Sequence, residues 1–288
     1  MSTTTHRIPG MPDPSSVGRS PHAESALPSV AAVPSPIPGS RPTRGVSFAR
    51  LVHVELRKML DTRAGRWLLI GVGAAIAAAL VILFFVDGGQ HRFEDYLQAT
   101  TMPMAIILPV VGILAVTSEW SQRTGLVTFT MEPRRLRVGW AKFVASLLVG
   151  IAAFALAIVL AALVHQAAIT IRGITPGWEI GGLVVTGAGL YVLLGLAQGV
   201  GFGMLFKNTP AAIVTYFALP TVWGILSSLV TWLNGVANWL DLNRTMNPLF
   251  LGRALTAEQW AHLAASVGVW VVLPLVVGMW RLSRAEVK

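Results

Sequence analysis

The stretch Glu119–Phe143 reads EWSQRTGLVTFTMEPRRLRVGWAKF. It lies between two long apolar segments and holds five of the 22 Lys and Arg residues: Arg123, Arg134, Arg135, Arg137 and Lys142. Gly125 and Pro133 divide it. Leu126, Val127, Phe129 and Met131 are apolar residues that a purely solvated loop would not need. The apolar blocks on either side and the basic charge between them predict a connector at a membrane surface.

The totals agree. Of 288 residues, 54% are hydrophobic and 12% charged, with a mean hydropathy of +0.65. Soluble domains carry about 25% charged residues. Six apolar segments are long enough to cross a bilayer, at about 67–86, 101–118, 143–164, 181–206, 211–233 and 263–280. No Asp, Glu, Lys or Arg falls within those bounds. The predicted fold is therefore an all-α integral membrane protein of six transmembrane helices.

Charge sets the orientation. With both termini in the cytoplasm, the inner segments carry 18 Lys and Arg and the outer loops carry 4: Arg92, Arg172, Arg244 and Arg253. Cytoplasmic connectors concentrate such residues. The split predicts N- and C-termini in the cytoplasm; the expected setting of this multi-pass protein is the plasma membrane. Removing the five charges of 119–142 still leaves 13 against 4, so orientation alone does not explain their concentration.

Residues 1–45 contain nine Pro and eight Ser without apolar period. They are read as a disordered cytoplasmic tail, either a dispensable leader or a regulatory docking segment. They lack the apolar core of a signal peptide. Residues 47–62 (SFARLVHVELRKMLDT) place Phe48, Leu51, Val52, Leu56, Met59 and Leu60 on one stripe, with Ser47 as N-cap. This is an interfacial amphipathic helix. Arg57 and Lys58 lie off the stripe, but Glu55 falls inside it. Its carboxylate either snorkels at the lipid surface or pairs with a basic residue of 119–143.

Asn234–His262 is apolar for a loop and predicts short helices or a re-entrant segment, broken at Asn247-Pro248. Thr256-x-x-Gln259 resembles a capping box that starts the sixth span. Gly195, Gly199 and Gly203 recur every four residues in the fourth span, a row that lets helices approach closely. Packing within the subunit is the favoured reading over a dimer seam or a translocation-path role. Asn243-Arg244-Thr245 matches a glycosylation triplet. His165 stands alone at a membrane edge, outside any metal-ligand spacing.

The absence of Cys removes disulfide and thiol chemistry. No G-x-x-x-x-G-K-[ST], H-E-x-x-H or G-x-S-x-G motif occurs. The charge-free spans lack the midplane carboxylates of ion-coupled carriers. A partner would have to supply energy.

Several motifs, in order, resemble the membrane permeases of ABC transporters of the ABC-2 type. They are Glu119, Arg123-Thr124-Gly125, Pro133-Arg134-Arg135-Leu136-Arg137 and Ala141-Lys142. Glu55-Leu56-Arg57-Lys58, Lys207-Asn208-Thr209-Pro210-Ala211-Ala212 and Arg281-x-x-Arg284-x-Glu286-Val287 add to them. The resemblance covers about residues 46–288 and does not extend to the tail. It implies that 119–142 forms a coupling element docking on a separate cytoplasmic ATPase subunit, which binds ATP and Mg. It implies two copies of the chain, or one with a homologous permease, in contact with membrane lipids. It implies no enzyme activity, cofactor, metal or nucleic-acid partner in this chain itself. The corresponding function is export of an amphipathic or hydrophobic substrate such as a drug, lipid or peptide. A non-transporting anchor or sensor that recruits a cytoplasmic partner through 119–143 is the alternative.

Overall fold

The structure is a computed structural model that describes residues 46–86, 92–121, 134–179 and 181–284. These are helical, with no strand among the described residues. Helix α1 (Phe48–Asp61) is followed by α2 (Arg63–Phe85), α3 (Phe93–Ser121), α4 (Arg135–Arg172), α5 (Gly182–Phe206) and α6 (Thr209–Leu229). Two short helices follow, α7 (Thr231–Leu240) and α8 (Leu242–Phe250). The chain closes with α9 (Ala257–Val267), a π-helical turn (Gly268–Val272) and α10 (Leu273–Ser283).

Six of these units are long and apolar enough to cross a membrane: α2, α3, α4, α5, α6 and the continuous run from α9 to α10. That is the architecture of a multi-pass membrane protein. Helices α2 and α6 each expose a face of large apolar residues, among them Ile70, Ile82, Val214, Val222 and Leu229. Hydrocarbon, unlike water, imposes no penalty on such a surface.

The second and third spans are longer than their apolar cores predict. Helix α3 has 29 residues and α4 has 38. At 1.5 Å per residue, α4 runs about 57 Å, nearly twice a bilayer's hydrocarbon core. Residues Arg135–Lys142, read from sequence as loop, are the first two turns of α4. His165 likewise lies inside α4, which ends at Gly173 in the left-handed conformation (φ 67°).

Helix α5 is the central element, with fourteen buried residues. Its glycine row faces α3. A Cβ on Gly199 would lie 2.4 Å from the Pro109 carbonyl oxygen, and one on Gly203 would lie 3.1 Å from that of Ile113. The row therefore packs within the subunit. The neighbouring face meets α10, where a Cβ on Gly278 would lie 2.7 Å from Met204 Cβ.

Helix α1 begins at the Ser47 cap, and Thr62 ends it while capping α2 through Gly65 N–H. Its buried line is Val52, Glu55 and Met59. Phe48 and Leu60, assigned to the stripe from sequence, are 40% and 49% exposed because α3 and α4 cover only the centre of that face.

In the 234–262 region the break is not at Asn247-Pro248. Pro248 lies within α8, and the chain turns at Asp241, whose carboxylate caps the backbone N–H groups of Asn243 and Arg244. The capping box of Thr256 and Gln259 is formed and starts α9. The π-helical turn just before Pro274 coincides with the hydrogen bond that a proline cannot donate.

Candidate functional site

Where α1 meets the end of α3 and the start of α4, two carboxylates and two ammonium groups close into a ring. Glu55 belongs to the buried line of α1 and therefore points at α4. Its Oε2 accepts from Lys142 Nζ at 2.6 Å and its Oε1 from Lys58 Nζ at 2.8 Å. Glu119 Oε1 lies 2.8 Å from Lys58 Nζ and 2.9 Å from Lys142 Nζ. Lys142 also donates to the Ala115 carbonyl at 3.2 Å. Each charge thus has two neighbours of opposite sign, and the ring is neutral.

Burial makes the pairing consequential. The side chains of Glu55, Lys142 and Glu119 are 7%, 5% and 10% exposed, and that of Lys58 is 40% exposed. Burial opposes the charge on Lys58, but the flanking Glu55 and Glu119 carboxylates outweigh it and raise its pKa above the ordinary lysine value. Unpaired, any one of the three inner charges would be very costly to desolvate. Paired, they fix the relative position of three helices.

The other residues singled out from sequence fall differently. Arg134 is exposed and immediately precedes α4. Arg137 donates to the Val46 carbonyl at 2.8 Å, tying α4 to the chain just before α1. Arg57 is exposed and pairs with Asp61. Arg135 lies near Lys207, whose pKa is pushed down by burial and by the adjacent positive charges of Arg281 and Arg135. Lys207 sits in the left-handed conformation (φ 53°), donates to the Arg281 carbonyl and lies 4.7 Å from the Trp120 ring centre. Arg123, Gly125 and Pro133 lie outside the described residues. Glu119 and Lys142, grouped from sequence with the docking stretch, are turned inward. The reason is that α3 and α4 continue past their apolar cores and α1 covers their ends.

No family model and no curated protein matches the chain.

Among the described residues no cluster of His, Asp and Glu could hold a metal ion. The ring offers no free acid, base or nucleophile, because each of its groups is already committed to an opposite charge. Its ion pairs tie α1 to α3 and α4 at this end. A second feature was not seen in the sequence reading. Gln198 and Tyr216 line a cavity between α3, α5 and α6. The available signal was an amide in an otherwise apolar span, which a search for charged residues alone passes over.

Proposed function

We propose that the chain is the membrane permease subunit of an ATP-driven transporter of the ABC-2 type. It would sit in the plasma membrane with both termini in the cytoplasm. Its role is to export an amphipathic or hydrophobic substrate. ATP and Mg would be bound by a separate cytoplasmic ATPase, and a second copy or a homologous permease would complete the membrane unit.

The observation that carries this reading is the ring of Glu55, Lys58, Glu119 and Lys142. It joins α1 to the two helices that flank residues 122–133. A push on that largely apolar segment would pass through α3 and α4 together and would carry α1 with them. The chain holds no phosphate-binding loop, so the push has to come from a partner. A partner whose nucleotide state favours one of two arrangements would switch the bundle between them.

The test is purification of the full chain from its native membrane in mild detergent. Co-elution of an ATPase with a phosphate-binding loop is the expected result. Co-elution of a kinase or scaffold without such an ATPase would overturn it in favour of the anchor.

A further inference from the structure

Between α3, α5 and α6 lies a cavity of about 240 Å³, bordered at one end by Asp241, Asn243 and Trp270. Much of its wall is apolar, with Met102, Ile106, Phe217 and Pro220 contributing. Three of its polar groups are already committed. The Tyr191 hydroxyl donates to Asn243 Oδ1 at 3.0 Å, and the Asp241 carboxylate caps α8 and faces Arg244. Asp241 is the one ionised side chain among the described residues of the wall.

Three other wall groups are not committed, and one of them is the buried Trp223 Nε1, which has no hydrogen-bond partner among the described residues. Gln198 is 4% exposed, and its amide makes no hydrogen bond among the described residues. The Tyr216 hydroxyl also has no hydrogen-bond partner among them. A Cβ on Gly195 would lie 3.1 Å from that hydroxyl, so the glycine leaves room for it. A buried amide without a partner is costly, and more so where no bulk water reaches. Convergent polar groups in a mostly apolar cavity are the usual make-up of a small-molecule site.

We infer that this cavity binds a small uncharged amphiphile whose hydroxyl or carbonyl group is held by Gln198 and Tyr216 within one subunit. An amide both donates and accepts, and so does a phenol, so either group of the ligand is matched. A cation or anion is disfavoured, because the wall has no free charge to meet it. The volume lies just below the range of about 300–1,000 Å³ for drug-sized ligands. It therefore suits a small molecule or the end of a longer one. Binding here does not depend on the transport reading, and it is tested without an ATPase.

The experiment uses the full chain in phosphatidylcholine nanodiscs and three photoreactive probes with a diazirine in mid-chain. These are decanol, the matching hydrocarbon without the hydroxyl, and the matching quaternary ammonium. The expected result is saturable decanol labelling near Met102–Ile106 and Tyr216–Thr221, displaced by unlabelled decanol. The hydrocarbon and the ammonium probe should label these segments at least about fivefold less, on the order of one lost hydrogen bond. Gln198→Leu should weaken decanol labelling to a similar degree. If that variant is also less thermostable, Tyr216→Phe, which keeps the ring, decides the matter. Labelling that does not saturate, or is equal for all three probes, overturns the inference. So does labelling unchanged by both substitutions.

Discussion

Lys142 and Glu55 are 87 positions apart in the chain, yet Nζ and Oε2 lie 2.6 Å apart with both side chains more than nine-tenths buried. Removing one charge of such a pair strands the other. Lys142→Met leaves Glu55 and Glu119 facing each other without the inner ammonium, and should cost about 3–5 kcal/mol. Glu55→Gln with Lys142→Met leaves Glu119 with Lys58, a balanced pair, and should restore much of that loss. Thermal unfolding of the purified single and double variants measures it. A double variant no more stable than Lys142→Met would mean that the ring does not behave as one charge-balanced unit.

The outer member of the ring gives a pH signature. The pKa of Lys58 is raised in the folded protein by Glu55 and Glu119. Its stabilising contribution is therefore complete below the unfolded lysine value and is lost as pH rises through the higher folded value. Relative to Lys58→Gln, the wild-type chain should keep a constant advantage in melting temperature up to about pH 10 and lose it above that. Comparing the two chains removes the titration of groups away from the ring. An advantage that instead vanishes at acid pH while persisting at high pH would contradict the assignment.

The seam between α3 and α5 makes a sharper steric prediction. Gly199 has no room for a side chain against Pro109, whereas Gly71 on α2 has nothing within 4 Å of a built Cβ. Gly199→Val should force the helices apart and destabilise by about 1–3 kcal/mol. Gly71→Ala should be neutral or stabilising by up to about 1 kcal/mol, the helix-propensity gain. Melting temperatures of the two variants in the same detergent check both signs at once. Equal effects would show that the seam is not the close contact described.

These contrasts show what the sequence makes legible. The apolar cores of the six spans are set by composition, because a helix that faces lipid must be apolar along its length. The Thr256 and Gln259 capping box is local and reads directly. Glu55 was identifiable as a carboxylate on an apolar stripe, to be met either at the lipid surface or by a basic residue of 119–143, and Lys142 is that residue. What sequence did not single out was which basic residue it is, or that it lies within a helix. Glu119 and Lys142 look like loop residues because they lie just beyond the apolar runs. Helices continue there because α1 folds over their ends and neutralises them, which is a tertiary effect. The Gln198 cavity depends on which faces of three helices converge, and the apolar pattern of an all-round hydrophobic span does not encode a face.

The last prediction separates docking from stability. Arg134 is exposed immediately before α4, while Glu119 and Lys142 are buried in the ring. If a cytoplasmic ATPase engages 122–134, Arg134→Glu places a like charge against a partner's carboxylates without touching the bundle. Its melting temperature should match wild type within the range of about 0.5 kcal/mol usual for surface changes. Its co-elution with the ATPase should fall about tenfold, the loss of one charge-assisted contact. Glu119→Gln should do the reverse: lower thermal stability first, with loss of the partner following only from misfolding. Equal partner recovery for wild type and Arg134→Glu would remove Arg134 from the docking surface. A fall in both stability and recovery for Arg134→Glu would mean that this arginine supports the fold instead.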